Sequence, residues 1–529
     1  MAAISTDIDR AVCVYVNRRG QVIRVGIGSA RQTQIPPLEL PRYGAKRLSG
    51  IRCIATKLKP EPPKESSLTA MVCQRLDALA VLTLTGTGKL KRGGGATGYI
   101  QDVYLSHLLP RSELKLAEQQ EYWSVSDAMS LNTLSAQDFL DLVEGLEAEF
   151  EREYVAQQVD SDRDLVVLVG LQVDKTLESD FEARLNELIG LVNTAGGEVL
   201  ETIRQKRSRP HPQTLVGEGK VQEIALRVQT LGANLVAFDR SLSPAQIRNL
   251  ESQFGVRVVD RTEIILDIFA QRAQSRAGKL QVELAQLEYM LPRLVGRGQA
   301  MSRLGGGIGT RGPGETKLET ERRSIQKRIA RLQKEVNELQ AHRSRMRKQR
   351  QKQDVPSVAI VGYTNAGKST LINALTNAEV YVANQLFATL DPTTRRLSIP
   401  HADTGGLQNI LLIDTVGFIQ QLPPPLVDAF RATLEEVTEA DALLHVVDLS
   451  HPTWEHQIRS VMEILGEMPI APGPVLLVFN KLDRVDSDTL AKAKEEFPLA
   501  LFISASDRLG LETLRQKLSL LVDYAGVGN

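Results

Sequence analysis

A glycine-rich segment between a strand and a helix carries the strongest chemical signal in this sequence. Residues 357–361, which are apolar after the initial serine, predict a buried strand. The segment that follows fits the spacing of a phosphate-binding loop, because glycines let successive backbone N–H groups face phosphates while a helix N-terminus adds a favourable dipole. Lys368 would neutralise the β- and γ-phosphates, and the Ser369 hydroxyl would bind Mg²⁺. The predicted loop residues are Gly362, Tyr363, Thr364, Asn365, Ala366, Gly367, Lys368, Ser369 and, opening the helix, Thr370.

Two further segments predict contacts around the terminal phosphate. A strand at 410–413 ends in Asp414, Thr415, Val416 and Gly417. There the carboxylate would act through the Mg²⁺ hydration shell, and the glycine N–H would sense the γ-phosphate. A stretch between this strand and the loop suits a first switch, with a threonine completing the Mg²⁺ ligands. Its residues are Phe387, Ala388, Thr389, Leu390 and Asp391; Thr393 and Thr394 compete with Thr389 for that role.

A third pair of segments predicts recognition of guanine. A strand at 475–479 ends in Asn480, Lys481, Leu482 and Asp483. The Asp483 carboxylate would accept hydrogen bonds from guanine N1–H and N2–H₂, which adenine does not present. Backbone groups of Ser504, Ala505 and Ser506 suit the guanine oxygen. The order of all these segments predicts a site that hydrolyses GTP. The candidate catalytic residues are Lys368, Thr389, Gly417 and Asn365.

One position departs from the common pattern of such sites. Many GTPases place a water-orienting glutamine directly after the Asp-x-x-Gly turn, and this sequence has Phe418 there. Either hydrolysis is slow until a partner completes the site, or a cation supplies the missing charge. Asn365 resembles the loop asparagine of potassium-activated GTPases, so K⁺ is a candidate activator.

The elements around these motifs predict an α/β protein. A P-loop GTPase domain, with a mostly parallel sheet flanked by helices, follows a smaller domain in which strands and helices alternate. Between them, leucines at 280, 284, 287 and 291 and a second stripe from 318 to 339 keep heptad spacing, which predicts an antiparallel helical hairpin. The predicted boundaries are 1–158 for an amino-terminal α+β extension, 159–275 for the smaller domain, 276–353 for the hairpin and 354–529 for the GTPase domain.

Charge is concentrated in the hairpin. The whole chain of 529 residues balances 64 Lys and Arg with 64 Asp and Glu. Residues 301–353, in contrast, hold 15 Lys and Arg and 5 Asp and Glu, a local charge of +10. A charge run is often only a solvated helix face. This hairpin, however, is strongly basic, has no aromatic residues among its charges and belongs to a protein that is neutral overall. These features indicate, as strongly as a solvated face, a surface that binds the phosphate backbone of RNA.

Composition excludes several other classes. Three cysteines cannot build a disulfide framework, and no apolar run is long enough to span a bilayer. The first residues include Asp7 and Asp9 and fit neither a secretory signal nor a transit peptide. These features predict a cytoplasmic protein, with no DNA or membrane partner, and we expect a monomer.

The sequence from about residue 160 onward resembles the HflX family of ribosome-associated GTPases. The most specific match is the run from Gly305 to Glu319 between the two leucine stripes; residues 386–391, 217–220 and 260–262 also fit. The first 155 or so residues extend beyond the usual family start, and a small carboxy-terminal domain of some members is not found after the last helix.

The resemblance implies a function and leaves alternatives open. It implies a factor that binds the large ribosomal subunit and its RNA and splits stalled or idle ribosomes, with the hairpin loop reaching the RNA. It also implies a second nucleotide activity in the smaller domain, which residues 217–220 are too short to carry alone. The alternatives are a GTP-dependent ribosome-binding module for hibernation or assembly, and a GTPase serving RNA modification.

Overall fold

The computed structural model describes residues 1–29, 48–85, 98–110, 123–160, 163–174, 177–294, 313–351, 355–376, 386–387, 390, 393–400, 406–419, 437–438, 440–466 and 473–527. Internal contacts group the chain into two compact units. The first comprises Met1–Thr176 and Gly196–Asp260, and the second comprises Leu177–Ala195 and Arg261–Asn529.

The first unit begins with a six-stranded sheet in the order β2-β1-β3-β4-β5-β6. Its neighbours are antiparallel except for the parallel pair β3 and β4. Helices α2 and α4 add apolar side chains to a core on one face, where Met71, Leu79 and Phe150 are buried. The elements are α1 (Ala2–Asp7), β1 (Val12–Asn17), β2 (Val22–Ile27), β3 (Ile51–Lys57), α2 (Glu65–Cys73), β4 (Leu79–Leu84), β5 (Ile100–Leu108), β6 (Trp123–Val125), α3 (Leu131–Ala136) and α4 (Phe139–Asp160).

A second sheet in the same unit has four strands, all parallel, in the order β10-β9-β7-β8. Nearly every residue of β7 is buried, as expected for a strand covered on both faces. The helix α7 starts with proline after a Ser243 capping box and ends at a left-handed Gly255, so its bounds follow from local sequence. The elements are β7 (Leu165–Val173), β8 (Glu198–Arg207), α6 (Glu218–Leu231), β9 (Leu235–Phe238), α7 (Pro244–Phe254) and β10 (Arg257–Asp260).

The second unit contains the helical hairpin. Leu284, Leu332 and Val336 form the buried centre of its seam. On its flanks Glu283 binds Arg328 at 2.8 Å, and Glu288 accepts a hydrogen bond from Gln333 at 2.9 Å. The first pair joins two g positions of the heptad and the second joins two e positions. Such pairing of like positions is expected for the predicted antiparallel arrangement. The helices of this part are α5 (Glu178–Ala195), α8 (Arg261–Arg272), α9 (Arg276–Leu294) and α10 (Pro313–Gln351).

The rest of the second unit is a six-stranded sheet in the order β12-β13-β11-β14-β15-β16. Only β12 runs antiparallel to its neighbour; the other pairs are parallel. The predicted α/β class with a P-loop domain is confirmed. The elements are β11 (Ser357–Gly362), α11 (Lys368–Thr376), β12 (Thr393–Pro400), β13 (Leu407–Asp414), β14 (Ala442–Asp448), α12 (Trp454–Gly466), β15 (Val475–Asn480), a 3₁₀ turn (Leu482–Arg484), α13 (Ser487–Glu496), β16 (Leu501–Phe502) and α14 (Leu511–Val527).

Among the described residues, no helix is both long enough and apolar enough to cross a membrane.

Candidate functional site

The carboxyl ends of β11, β13 and β15 bring the predicted motifs together at one edge of the sheet. Gly362 closes β11 with φ at 153°, and a Cβ there would lie 2.1 Å from the Val446 carbonyl oxygen on β14. No side chain larger than hydrogen fits this approach, so the loop must leave the strand through glycine. The loop then leads directly into α11, whose first residue is Lys368.

Lys368 is folded back over the loop. Its buried ammonium donates to the carbonyl oxygens of Gly362, at 3.1 Å, and Tyr363, at 2.9 Å. Burial lowers the pKa of Lys368 to about 8, against the opposing effect of Asp414. The hydrogen-bond acceptors of this amine are thus two neutral backbone carbonyls. Negatively charged phosphate oxygens would bind its charged form more strongly than these carbonyls do.

This pKa gives a testable pH dependence. Phosphates that replace the two carbonyls favour the charged amine, so GDP binding above pH 8 takes up a proton. We expect GDP affinity to fall as pH rises above 8, with a limiting slope of about tenfold per pH unit. The nearby His445 does not compete, because burial lowers its pKa to about 4.

Calorimetry between pH 7 and pH 9.5 measures this effect. Lys368→Arg is the matched control, because a guanidinium remains charged throughout this range. The arginine variant should bind more weakly at neutral pH but lack the additional slope. Equal slopes in both proteins would show that Lys368 does not titrate on binding.

Ser369 and Asp414 are adjacent, as a shared metal requires. The Ser369 hydroxyl donates to Asp414 Oδ2 at 2.9 Å, and Asp414 is fully buried at the end of β13. The neighbouring Thr415 hydroxyl donates to the Ile360 carbonyl at 2.6 Å and ties β13 to β11. One hydroxyl beside one carboxylate fits the donor set of Mg²⁺, which keeps several waters and takes its other ligands from phosphates.

Gly417 passes unusually close to the loop. A Cβ at this position would lie 2.8 Å from Thr364 Cα and 2.9 Å from Lys368 Nζ. The next residue, Phe418, joins this turn to the phosphate loop by two backbone hydrogen bonds. Its N–H donates to the Gly362 carbonyl, and its carbonyl accepts from the Thr364 N–H. Its ring is buried in the core with 1% of its surface exposed. Phe418 therefore positions the loop and contributes no polar side chain to the phosphate site.

Asn480 connects three of the predicted motifs. Its side-chain amide donates to the Ala366 carbonyl at 2.9 Å, and its Oδ1 accepts from the Ala505 N–H at 3.0 Å. A Cβ on Gly367 would lie 2.4 Å from Asn480 Nδ2, so this glycine is needed for the contact. Asn480 therefore has a structural role: its two hydrogen bonds hold together the edge of the sheet on which a guanine base would lie.

Asp483 lies at the solvent-facing side of this edge. Its Oδ1 accepts hydrogen bonds from the hydroxyls of Ser504, at 2.6 Å, and Ser506, at 3.4 Å. The Ser504 hydroxyl holds the pKa of this carboxyl below its usual range, so it is an anion that can accept from two donors. Lys481 adopts a left-handed φ of 63° and binds Asp448 at 2.7 Å.

The structure thus assembles four of the five predicted segments. Asn365 is exposed on the loop with a left-handed φ of 62°, a conformation that asparagine tolerates. From the switch segment, Ala388, Thr389 and Asp391 lie outside the described residues. Thr393, opposite Asp414 on β12, has a buried hydroxyl that makes no hydrogen bond with the described part of the chain.

Comparison with known proteins gives the family. Three family models match in succession: GTP-binding GTPase N-terminal at residues 182–270, GTP-binding GTPase Middle Region at 272–350 and 50S ribosome-binding GTPase at 357–481. The GTPase HflX of Alkalihalophilus pseudofirmus is 49% identical over 354 residues, which cover 65% of this chain and 82% of that protein. The chain belongs to the HflX family of GTPases.

Other HflX relatives show the same coverage. The Escherichia coli GTPase HflX is 48% identical over 346 residues, covering 65% of this chain and 80% of that protein. Among solved structures, a GTP-binding protein of Sulfolobus solfataricus in complex with GDP is 28% identical, with a TM-score of 0.36 and coverage of 68% of this chain and 99% of that one. The family models and the HflX relatives confirm the resemblance seen in the sequence, and this HflX protein hydrolyses GTP.

A buried ion pair outside the predicted nucleotide motifs contacts the phosphate loop of this HflX protein. Glu187 on α5 binds Arg261 on α8 at 2.6 Å and accepts from the Tyr363 hydroxyl at 2.6 Å. Burial raises the pKa of Glu187, while Arg261 and the tyrosine hydroxyl act in the opposite direction. The sequence offered no signal for this contact, because Glu187 is one acid on an ordinary amphipathic helix.

The same two helices hold the start of the switch segment. Phe387 is buried, with a φ of 54°, and its ring meets Phe269 of α8 edge to face at 4.9 Å. The Leu386 N–H donates to the Thr194 hydroxyl of α5 at 3.3 Å. A side chain predicted to lie near the nucleotide is therefore a core residue that anchors the chain leading to Thr389.

We expect the tyrosine contact to be energetically coupled to the ion pair. Tyr363→Phe should cost about 1–3 kcal/mol of unfolding free energy, because a buried carboxylate loses a hydrogen bond. In a Glu187→Gln background the same change should cost markedly less. Urea denaturation followed by Trp454 fluorescence, in a Trp123→Phe protein, measures both values. Equal costs in the two backgrounds would exclude the coupling.

Proposed function

We propose that this HflX protein binds the large ribosomal subunit in its GTP state and splits stalled or idle ribosomes into subunits. The observation that carries the proposal is a basic two-helix arm in the same compact unit as the GTP site. The match to a model described as a 50S ribosome-binding GTPase supports the choice of partner. Residues 305–312, between the two helices, lie outside the described residues; the sequence predicts that this loop contacts ribosomal RNA.

The arm is suited to a polyanionic surface. Along α10 the side chains of Arg322, Lys327, Arg331 and Lys334 are exposed, while Leu332 and Val336 face the seam. Basic groups on a rigid two-helix support attract phosphates without reading base sequence, and this attraction weakens as salt rises. The heptad seam therefore fixes the arm, and these four basic side chains face solvent.

The site residues divide the chemistry of GTP hydrolysis among them. Asp483 would select guanine, and backbone groups at Ser504–Ser506 would meet its oxygen. Lys368 and the loop N–H groups would bind the β- and γ-phosphates, and the Gly417 N–H would contact the γ-phosphate. Ser369, Thr389 and, through water, Asp414 would hold Mg²⁺, which when bound neutralises the charge that develops on the phosphates.

We infer that intrinsic hydrolysis is slow and that ribosomes raise it. Phe418 is buried, so the position after Gly417 orients no water.

A cation is a second way to complete the site. Held near Asn365, it would supply part of the charge that a polar residue at position 418 would otherwise contribute. Potassium should therefore raise the hydrolysis rate over sodium at equal ionic strength, and Asn365→Ala should remove the difference. Equal rates in both salts would leave Asn365 as a residue that only shapes the loop.

Sedimentation with ribosomal subunits tests the binding. The protein should co-sediment with large subunits in GTP or a non-hydrolysable analogue and dissociate in GDP. Charge reversal at Arg322, Lys327 and Lys334 should weaken binding and flatten its salt dependence. Reversal at Lys492, Lys494 and Lys517, exposed on helices of the GTPase sheet, is the matched control. An equal loss of ribosome binding in the two triple variants would argue against binding through the arm.

A further inference from the structure

A cavity lies on the second face of the amino-terminal six-stranded sheet, opposite the core formed with α2. Two rows of side chains cross this face. One row is apolar and ends in a hydroxyl: Ile54, Ala80, Leu105 and Ser126. The other is polar apart from one alanine: Arg52, Ala78, His107 and Ser124. The cavity measures about 680 Å³, within the range of roughly 300–1,000 Å³ typical of small-molecule sites.

The sequence explains why this face is hollow. In its middle, β4 and the residue just before it contribute only the methyl groups of Ala80 and Ala78. Met129, just before α3, Leu134 on α3 and Phe139, which begins α4, pack against this face and line the cavity. Alanines flanked by larger residues leave room that a well-packed core would not contain.

The polar row contains a cation whose hydrogen bonding is incomplete. The Arg52 guanidinium lies against the Phe139 ring, with Cζ 4.7 Å from the centroid. Its Nε is buried and makes no hydrogen bond with any described residue. Because Nε is closed to solvent while Arg52 as a whole lines the cavity and is half-buried, an entering acceptor would pair with the terminal nitrogens of the guanidinium. A carboxylate matches a guanidinium in charge and geometry.

Two acidic residues of the lining restrict the charge of a ligand. Asp138 caps α4, accepting from the N–H groups of Leu140 and Asp141 at 3.0 and 3.3 Å, and Asp141 is exposed beside it. Two carboxylates among the lining residues repel a dianion more strongly than a monoanion. His107 Nδ1 donates to the Leu108 carbonyl at 3.0 Å, and its orientation is thereby fixed within the polar row.

We propose that this cavity binds a small organic monocarboxylate with a hydrocarbon body. The carboxylate pairs with Arg52, and the hydrocarbon covers the apolar row of Ile54, Ala80 and Leu105 beneath Met129 and Leu134. The regions matched by the HflX family models begin at residue 182, so this site belongs to the extension and not to the GTPase machinery.

Calorimetry of the full chain with octanoate as the probe tests the proposal. One saturable site per chain is expected. Arg52→Gln should weaken octanoate binding at least about tenfold, because it removes a charge-assisted hydrogen bond. Arg24→Gln, on exposed β2 of the same sheet, is the matched control and should bind as the unchanged protein does. Ala80→Leu keeps Arg52 but fills the cavity, so it should also abolish binding.

Two further ligands separate charge from hydrophobicity. Octyl phosphate, a dianion above pH 7.5, and uncharged 1-octanol should each bind at least about tenfold more weakly than octanoate. Equal affinity of Arg52→Gln and Arg24→Gln for octanoate, octanol binding as tight as octanoate binding, or the absence of a saturable site would each overturn the proposal. None of these results bears on ribosome binding.

Discussion

Replacing Gly417 by alanine is expected to reduce ribosome-stimulated GTP hydrolysis at least about hundredfold, the typical loss when one transition-state donor is displaced. The added methyl group would overlap Thr364 Cα, at 2.8 Å, and approach Lys368 Nζ, at 2.9 Å. Because neither backbone nor the buried amine can move freely, the strand end must retreat and take its N–H away from the γ-phosphate. GDP affinity should change less than about threefold, since GDP lacks that phosphate.

Gly466→Ala is the control for this prediction. That glycine ends α12 in the same unit, and a Cβ there meets no atom within 4 Å. Single-turnover phosphate release with ribosomes measures hydrolysis, and calorimetry measures GDP binding. A Gly417→Ala protein that hydrolyses GTP at the unmodified rate would remove Gly417 from the phosphate site.

The second large effect concerns the base. Asp483→Asn should lower GTP affinity at least about hundredfold and create affinity for xanthosine triphosphate, because the amide presents a donor where guanine also presents donors. Xanthine offers an oxygen at that position instead. The serine hydroxyls that now donate to Asp483 keep the replaced side chain in place.

Asp486→Asn provides the matched control for the base. Asp486 caps α13 by accepting from the Thr489 N–H, and asparagine caps a helix equally well. Fluorescent-nucleotide competition with GTP and xanthosine triphosphate gives both affinities. Undiminished GTP affinity in Asp483→Asn would exclude the assignment of guanine recognition to this carboxylate.

Much of the GTP site could be predicted from the sequence because its constraints are local. The residues of the loop, of the Asp-x-x-Gly turn and of the Asn-Lys-x-Asp segment each follow a strand, and parallel strands carry such ends to one edge of a sheet. The heptad seam of the hairpin was equally readable, since the apolar residues of each helix repeat at heptad spacing: Leu280, Leu284 and Leu287 on α9, and Ile329, Leu332 and Val336 on α10. The residue-by-residue nucleotide roles and the four domain boundaries remain predictions.

Contacts between distant parts of the chain could not be predicted. Glu187 and Tyr363 are 176 residues apart, and neither has a local pattern that indicates the other. Phe387 illustrates the same limit: its position in a switch suggested a nucleotide contact, whereas its ring is buried on Phe269. The cavity beside Arg52 also escaped sequence reasoning, because two alanines on a strand indicate a core as readily as a hollow.

A splitting assay tests the central claim most directly. Empty ribosomes mixed with the protein should lose light-scattering intensity and yield separate subunits on a density gradient with GTP and with its non-hydrolysable analogue. GDP should leave them intact, because a ligand shifts an equilibrium only through differential affinity for its two states. If ribosomes stay joined with all three nucleotides while the protein still sediments with large subunits, the protein binds ribosomes without splitting them and the account is wrong.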